Sequence, residues 1–170
     1  DYLAAGTSPL EEELVSAGAT VLDRAWRDLG IHGTPLRLGG LYDYAFALDD
    51  RNSCDPDRMD PEVCRFLTDF QDTERFTLML SHRPDSFALG EAARTWSIDL
   101  VLSGHAHGGQ VVLPVLGGVF GGDLGLFSPY LHGMCRKDGL TMAVTSGLGS
   151  QRERLPRFHN PPEIMVIDLT

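Results

Sequence analysis

No stretch of 18 consecutive apolar residues occurs in the sequence, which excludes a membrane-spanning helix of ordinary length. Nor does a positively charged segment followed by an apolar run open it, so no secretory leader is visible in these residues. Cysteine is scarce: Cys54, Cys64 and Cys135 are odd in number and form no CxxC pair. They read as reduced, mostly packed thiols; a Cys54–Cys64 disulfide is open but unsupported. The expected location is therefore cytoplasmic or the cytoplasmic membrane surface. Clustered positive charge is missing as well. The net charge is −10, and the short patch Arg152, Arg154, Arg157 is broken by Glu153. Non-specific binding to a nucleic-acid backbone is excluded as a main function, and no nucleic-acid partner is expected.

What is there suffices for one core: 170 residues, 42% of them hydrophobic. "PLEEELVSA" (9–17) carries Pro and acids in its first turn and predicts a short helix ending at Gly18. "ATVLDRAW" (19–26) and "TPLRLGGLY" (34–42) predict two strands near a sheet edge, with "DLGIHG" as the turn. "MDPEVCRFLTDFQ" (59–71) begins on an Asp cap, and Val63, Phe66, Leu67 and Phe70 recur at helical spacing. Next come a strand "RFTLMLSH" (75–82), a helix "DSFALGEAARTW" (85–96) and a strand "IDLVLSGH" (98–105). "QVVLP", "LTMAVTSG" (140–147) and "EIMVIDLT" (163–170) predict further strands, and the glycine-rich segment 116–126 a long loop. Strand, helix, strand implies a crossover; later strands without helices imply antiparallel pairing. The expected class is α/β with a mixed sheet.

Two of these strands end in Ser followed closely by His: Ser81-His82 and Ser103-Gly104-His105. In sheets containing strand–helix–strand units, the carboxyl ends of parallel strands face one crevice, where ligands bind. His82, His105 and His107 would then meet on one rim. Neutral imidazoles gathered in this way are ligands for Zn, Mn, Fe or Ni. The neighbouring Gly104, Gly108 and Gly109 would let backbone approach a metal or a phosphate closely. His32, His132 and His159 have no such setting and read as solvated side chains.

"SGHAHGGQ" (103–110) resembles the final GHxH motif of the calcineurin-like metallophosphoesterases, and "LSHRPD" (80–85) resembles the single-His motif preceding it in one bacterial subgroup. "ALDD" (47–50), "SGLG" (146–149) and "RFHNPPEI" (157–164) resemble the same subgroup in the same order. The resemblance implies a four-layer α/β/β/α sandwich with a dinuclear metal centre at the sheet rim. It further implies that His82 and His105 bind one metal and His107 the other, the ions being Mn, Zn, Fe or Ni. The family's D-x-H, G-D-x-x-D and G-N-H motifs are not in this sequence. Asp1-Tyr2 matches the last two letters of a "GNHDY" version of the third. The expectation is thus that residues 1–170 are the C-terminal portion of a single phosphoesterase domain, incomplete at its N-terminus.

The implied chemistry is hydrolysis of a phosphodiester or pyrophosphate by two metals that activate a bridging water. The bridging carboxylate and the proton donor would come from upstream, so this chain alone should be close to inactive. The implied partners are a phosphoester substrate, with nucleotide-linked lipids among the candidates, and either the missing N-terminal segment or another copy. The apolar side chains Leu116, Val119, Phe120, Leu124, Leu126 and Phe127 would either meet a lipid chain or membrane surface, or fold over and cap the core. Arg157 and Asn160 either reach a phosphate or belong to a turn set by Pro161-Pro162. Two other classes stay open: a non-catalytic metal-binding or scaffold domain that pairs with another polypeptide, and a mononuclear hydrolase. Against the latter, Asp43, Asp49, Asp50 and Asp85 show no ligand spacing with the histidines.

Overall fold

The computed structural model describes residues 9–49, 53–149 and 156–169; Asp1-Tyr2, Asp50 and the Arg152–Arg154 patch lie outside the described residues. Helix α1 (Pro9–Ser16) ends where Gly18 takes a φ of +87° and its N–H reaches the Val15 carbonyl, as the Gly18 stop requires. Strands β1 (Ala25–Ile31) and β2 (Thr34–Leu41) form a hairpin whose last pair is Ile31 with Thr34. The first strand therefore lies six residues later than its apolar pattern indicates. His32 and Gly33, at φ +49° and +85°, form the two-residue left-handed turn that sets this register. Because β1 is an exposed edge strand, its own residues carry little hydrophobic signal.

Helix α2 (Pro61–Gln71) starts where expected, with the Asp60 carboxylate accepting from the N–H groups of Glu62 and Val63. It buries Val63, Phe66, Leu67 and Phe70. Strand β3 (Phe76–Ser81) follows. The helix expected over 85–96 is two single turns, α3 (Asp85–Ala88) and α4 (Ala92–Thr95). Leu89 turns extended and Gly90 takes a φ of +60°, which no continuous helix allows. Strand β4 (Leu100–Ser103) leads through a short hairpin, β5 (Val112–Leu113) with β6 (Gly117–Gly118), to a second edge hairpin, β7 (Gly133–Lys137) with β8 (Leu140–Val144). Strand β7 was not among the expected strands, although Asp138-Gly139 is a strong two-residue turn signal.

The six-stranded sheet runs β1-β2-β3-β4-β8-β7, its four central strands parallel and both outer pairs antiparallel, a mixed α/β arrangement. On one face, Met79, Val101 and Met142 join the buried side of α2 and of α3–α4 in the main core. The other face carries a smaller cluster of Leu36, Leu78, Leu100 and Ala143, against which Met165 and Ile167 pack. Residues 163–169, expected as a strand, belong to none. They alternate, Met165 and Ile167 inward and Ile164 and Val166 exposed, but no described strand lies beside them to supply ladder hydrogen bonds. Phe76 and Leu80, on this same face, remain 37% and 42% exposed.

Close packing of α2 on the sheet depends on Gly39, where a Cβ would lie 2.5 Å from the fully buried ring of Phe70. Arg37 ties the same helix down. It forks onto Asp28 and donates to the carbonyls of Asp69, Phe70 and Asp72, satisfying the last turn. Truncating Phe70→Ala should cost about 3–5 kcal/mol through the cavity left behind. Overpacking by Gly39→Ala should cost about 1–3 kcal/mol. Urea denaturation of each variant checks both values.

Candidate metal centre

The parallel register of β3 and β4 pairs Leu80 with Leu102, so the residues just beyond both strands emerge side by side at the carboxyl rim. His82 and His105 meet there: Nε2 of the first lies 2.9 Å from Nδ1 of the second, their rings edge to face at 4.7 Å. Tyr42, just past β2, stacks on His82 at 5.4 Å and fixes the ring plane. Burial lowers the pKa of both imidazoles. The basic side chain of Arg83 adds to this for each, and His82 and His107 for His105. Both rings are thereby held toward the neutral form that a metal requires. Two nitrogens this close match neighbouring ligands around an ion with metal–nitrogen bonds of about 2.0–2.1 Å.

His107 follows in a loop of unusual backbone. His105, His107, Gly108, Gly109 and Gln110 all have positive φ, and three of these five carry side chains. Burial also lowers the pKa of His107, with Arg157 and His82 contributing. The structure thus joins His82 and His105 directly, while His107 lies near enough for its charge to act on His105 and that of His82 on it. Among the described residues, no group of three or more His, Cys, Asp or Glu side chains is gathered at metal-holding distances. The aspartates weighed as carboxylate ligands are engaged elsewhere: Asp43 with Arg24, Asp49 with Arg58 and Asp85 with Arg83.

The polar residues around the rim hold backbone groups of the neighbouring loops. Arg157 donates to the carbonyls of Ser146, Gly147 and Gly149, and Asn160 donates to the carbonyls of His107 and Gln110. Of the two roles weighed, the structural turn is the one seen. Arg83, unremarked in the sequence, bridges buried Asp85 and Asp123 of the glycine-rich loop and lies over the Tyr44 ring. That loop leaves Leu116, Phe120, Leu126 and Phe127 exposed, while Leu124 packs against the core. A cleft of about 350 Å³ opens beside His82, lined by Leu41, Tyr42, Leu80, Leu102 and Ser103. Among the described residues, the buried Ser103 hydroxyl and both ends of the Gln110 amide find no hydrogen-bond partner. The three cysteines are free thiols, Cys135 buried.

Glu163 closes the arrangement from the tail, accepting from the Ser146 N–H, the Thr145 hydroxyl and His132. The Ser146 N–H is the largest influence and holds its carboxyl below the ordinary value of 4.5; burial pushes the other way, and His132 and Thr145 add to the lowering. A carboxylate whose folded pKa is depressed stabilises the fold fully above its unfolded pKa and loses that contribution as pH falls through the folded one. Glu163→Gln should therefore be less stable than the parent at neutral pH, and the gap should close below about pH 4.5. Thermal melts across pH 2–7 check this; a gap that does not narrow as pH falls would contradict it.

No protein-family model matches the chain, and no solved structure matches it. Three curated relatives do. The uncharacterized metallophosphoesterase YkuE of Bacillus subtilis (strain 168) is 28% identical over 172 residues, covering 99% of this chain and 53% of the relative. An uncharacterized metallophosphoesterase of Helicobacter pylori (strain J99) is 32% identical over 165 residues, with 96% and 39% covered. Its counterpart in H. pylori strain 26695 is 30% identical over the same shares. The chain therefore spans about half the length, or less, of the curated relatives it matches. The likeness supports the metallophosphoesterase superfamily, and the six-stranded mixed sheet fits an α/β fold of that kind.

Proposed function

We propose that this chain is the histidine-bearing part of a metal-dependent phosphoesterase of the calcineurin-like type. The supporting observation is the His82–His105 pair, 2.9 Å apart on the carboxyl rim of two parallel strands. Near-full-length likeness to proteins named metallophosphoesterases gives that pair a chemical context. In this reading His82 and His105 hold one divalent ion and His107 a second. A bound ion lowers the pKa of a coordinated water and offsets charge on a phosphoryl oxygen. The chain's own contribution is to bring neutral imidazoles to one rim, keep the His82 ring oriented through Tyr42 stacking, and wall the cleft with apolar side chains. The bridging carboxylate and the leaving-group acid belong to residues upstream of position 1.

The substrate class in this reading is a phosphodiester or pyrophosphate. Exposure of Leu116, Phe120, Leu126 and Phe127 on the glycine-rich loop favours a substrate with a lipid portion, met at a membrane surface. Titration calorimetry with Mn²⁺ or Zn²⁺ tests the site. His82→Ala and His105→Ala should each weaken binding by at least about tenfold, whereas His159→Ala should leave it unchanged. Equal affinity in all four proteins would contradict the assignment. With Mn²⁺, a chain lengthened upstream to the size of its relatives should hydrolyse bis-p-nitrophenyl phosphate many times faster than the 170-residue chain. Equal rates would favour a complete mononuclear site.

The sandwich and the single-domain boundary follow from the same reading. The face bearing Phe76 and Leu80 is the surface a second sheet would cover, and the alternating tail 163–169 lies on it. Alone, this chain should self-associate or pair with an upstream segment through that face. Sedimentation at micromolar concentration should show species larger than one chain. A single monomer with a cooperative melt would mean that the face needs no cover.

A further inference from the structure

We propose that Asn160, held by Arg157, is a positioning residue that sets the backbone of His107. The proposal rests on the metal-dependent reading of the site. The buried Asn160 carboxamide donates 2.6 Å to the His107 carbonyl and 3.2 Å to that of Gln110, so one NH₂ group ties both ends of the left-handed run 107–110. Gly108 makes room for it: a Cβ there would come 2.8 Å from the Asn160 side-chain oxygen. That oxygen accepts from Arg157 Nη1; Nε and Nη2 are anchored on the carbonyls of Ser146, Gly147 and Gly149, and Nη2 also lies 3.5 Å from Nδ1 of the His107 ring. Phe158 completes the seam, its N–H to the Gln110 carbonyl and its carbonyl from the Val112 N–H.

Side-chain-bearing residues keep left-handed backbone only where their surroundings over-determine it. His107 and Gln110 both do so here, and both carbonyls are turned onto the one amide. Each carbonyl also accepts one backbone N–H, that of Gln110 for His107 and that of Phe158 for Gln110, and the amide supplies the second donor that links the two. A carboxylate of the same shape would face two carbonyl oxygens with like charge. Asn160 thus acts on the site through the His107 backbone, while Arg157 also reaches the ring itself.

The test compares Asn160→Ala and Asn160→Asp with Glu163→Ala, which removes hydrogen bonds of the same tail without touching His107. In metal-free protein labelled at histidine, both position-160 variants should shift the His107 ring resonances and spare those of His159; Glu163→Ala should not move His107. With Co²⁺ as probe, the two variants should lose roughly 10–100-fold in affinity for one ion, with a changed visible absorption. Unmoved His107 resonances in a folded Asn160 variant, or equal effects from Glu163→Ala, would overturn the proposal. If Asn160→Ala does not fold, the isosteric Asn160→Asp decides on the same resonances. Parent protein that takes up no Co²⁺ would defeat the metal reading, while the metal-free spectra would still decide the positioning role.

Discussion

The rest of the site depends on the parallel pairing of β3 with β4. Pairing Leu80 with Leu102 puts two strand ends on the same rim, and each is followed within two residues by a histidine. A slip of one residue would turn the apolar face of one strand outward. The buried faces of Met79 and Val101, packed under α2 and α3–α4, therefore set the register that brings the two imidazoles together. Core packing and site geometry are one constraint.

Around that pair the chain uses backbone carbonyls as its main scaffold. Arg157, Asn160 and Glu163 reach back from the tail to the loops after β4 and β8, each making several hydrogen bonds. The bonds of Arg157 and Glu163 are charge-assisted and so stronger than the neutral ones of Asn160, and all three residues tie segments distant in sequence to one another. Arg83 does the same for the glycine-rich loop, through Asp123. The rim is thus fastened at both sides of the histidines. On the face of the sheet behind it, Met165 and Ile167 pack from the tail among the described residues, and Leu22 lies against Gly40.

Much of this was legible from residue patterns, for identifiable reasons. The helix over 61–71 combined an Asp cap with four apolar residues at helical spacing, two independent signals that agree. The central strands were continuous apolar runs, as strands covered on both faces are. The convergence of His82 and His105 followed from their positions after two such strands. What escaped was governed by single backbone positions or by absent neighbours. The edge strand β1 is set by the His32-Gly33 turn, not by hydrophobicity; Gly90 splits a helix whose composition reads as one. Residues 163–169 have the alternation of a strand without a described partner to pair with. The roles of Arg157 and Asn160 were undecidable from sequence, because a donor that binds phosphate and one that binds carbonyls look alike.

Location of a bound metal tests the central claim most directly. Anomalous diffraction at the Mn or Zn edge, from crystals of the chain extended to the length of its relatives, would show where an ion sits. It should lie within about 2.0–2.3 Å of both His82 Nε2 and His105 Nδ1. An ion bound elsewhere, with these two rings still joined to one another, would contradict a metal centre on this rim.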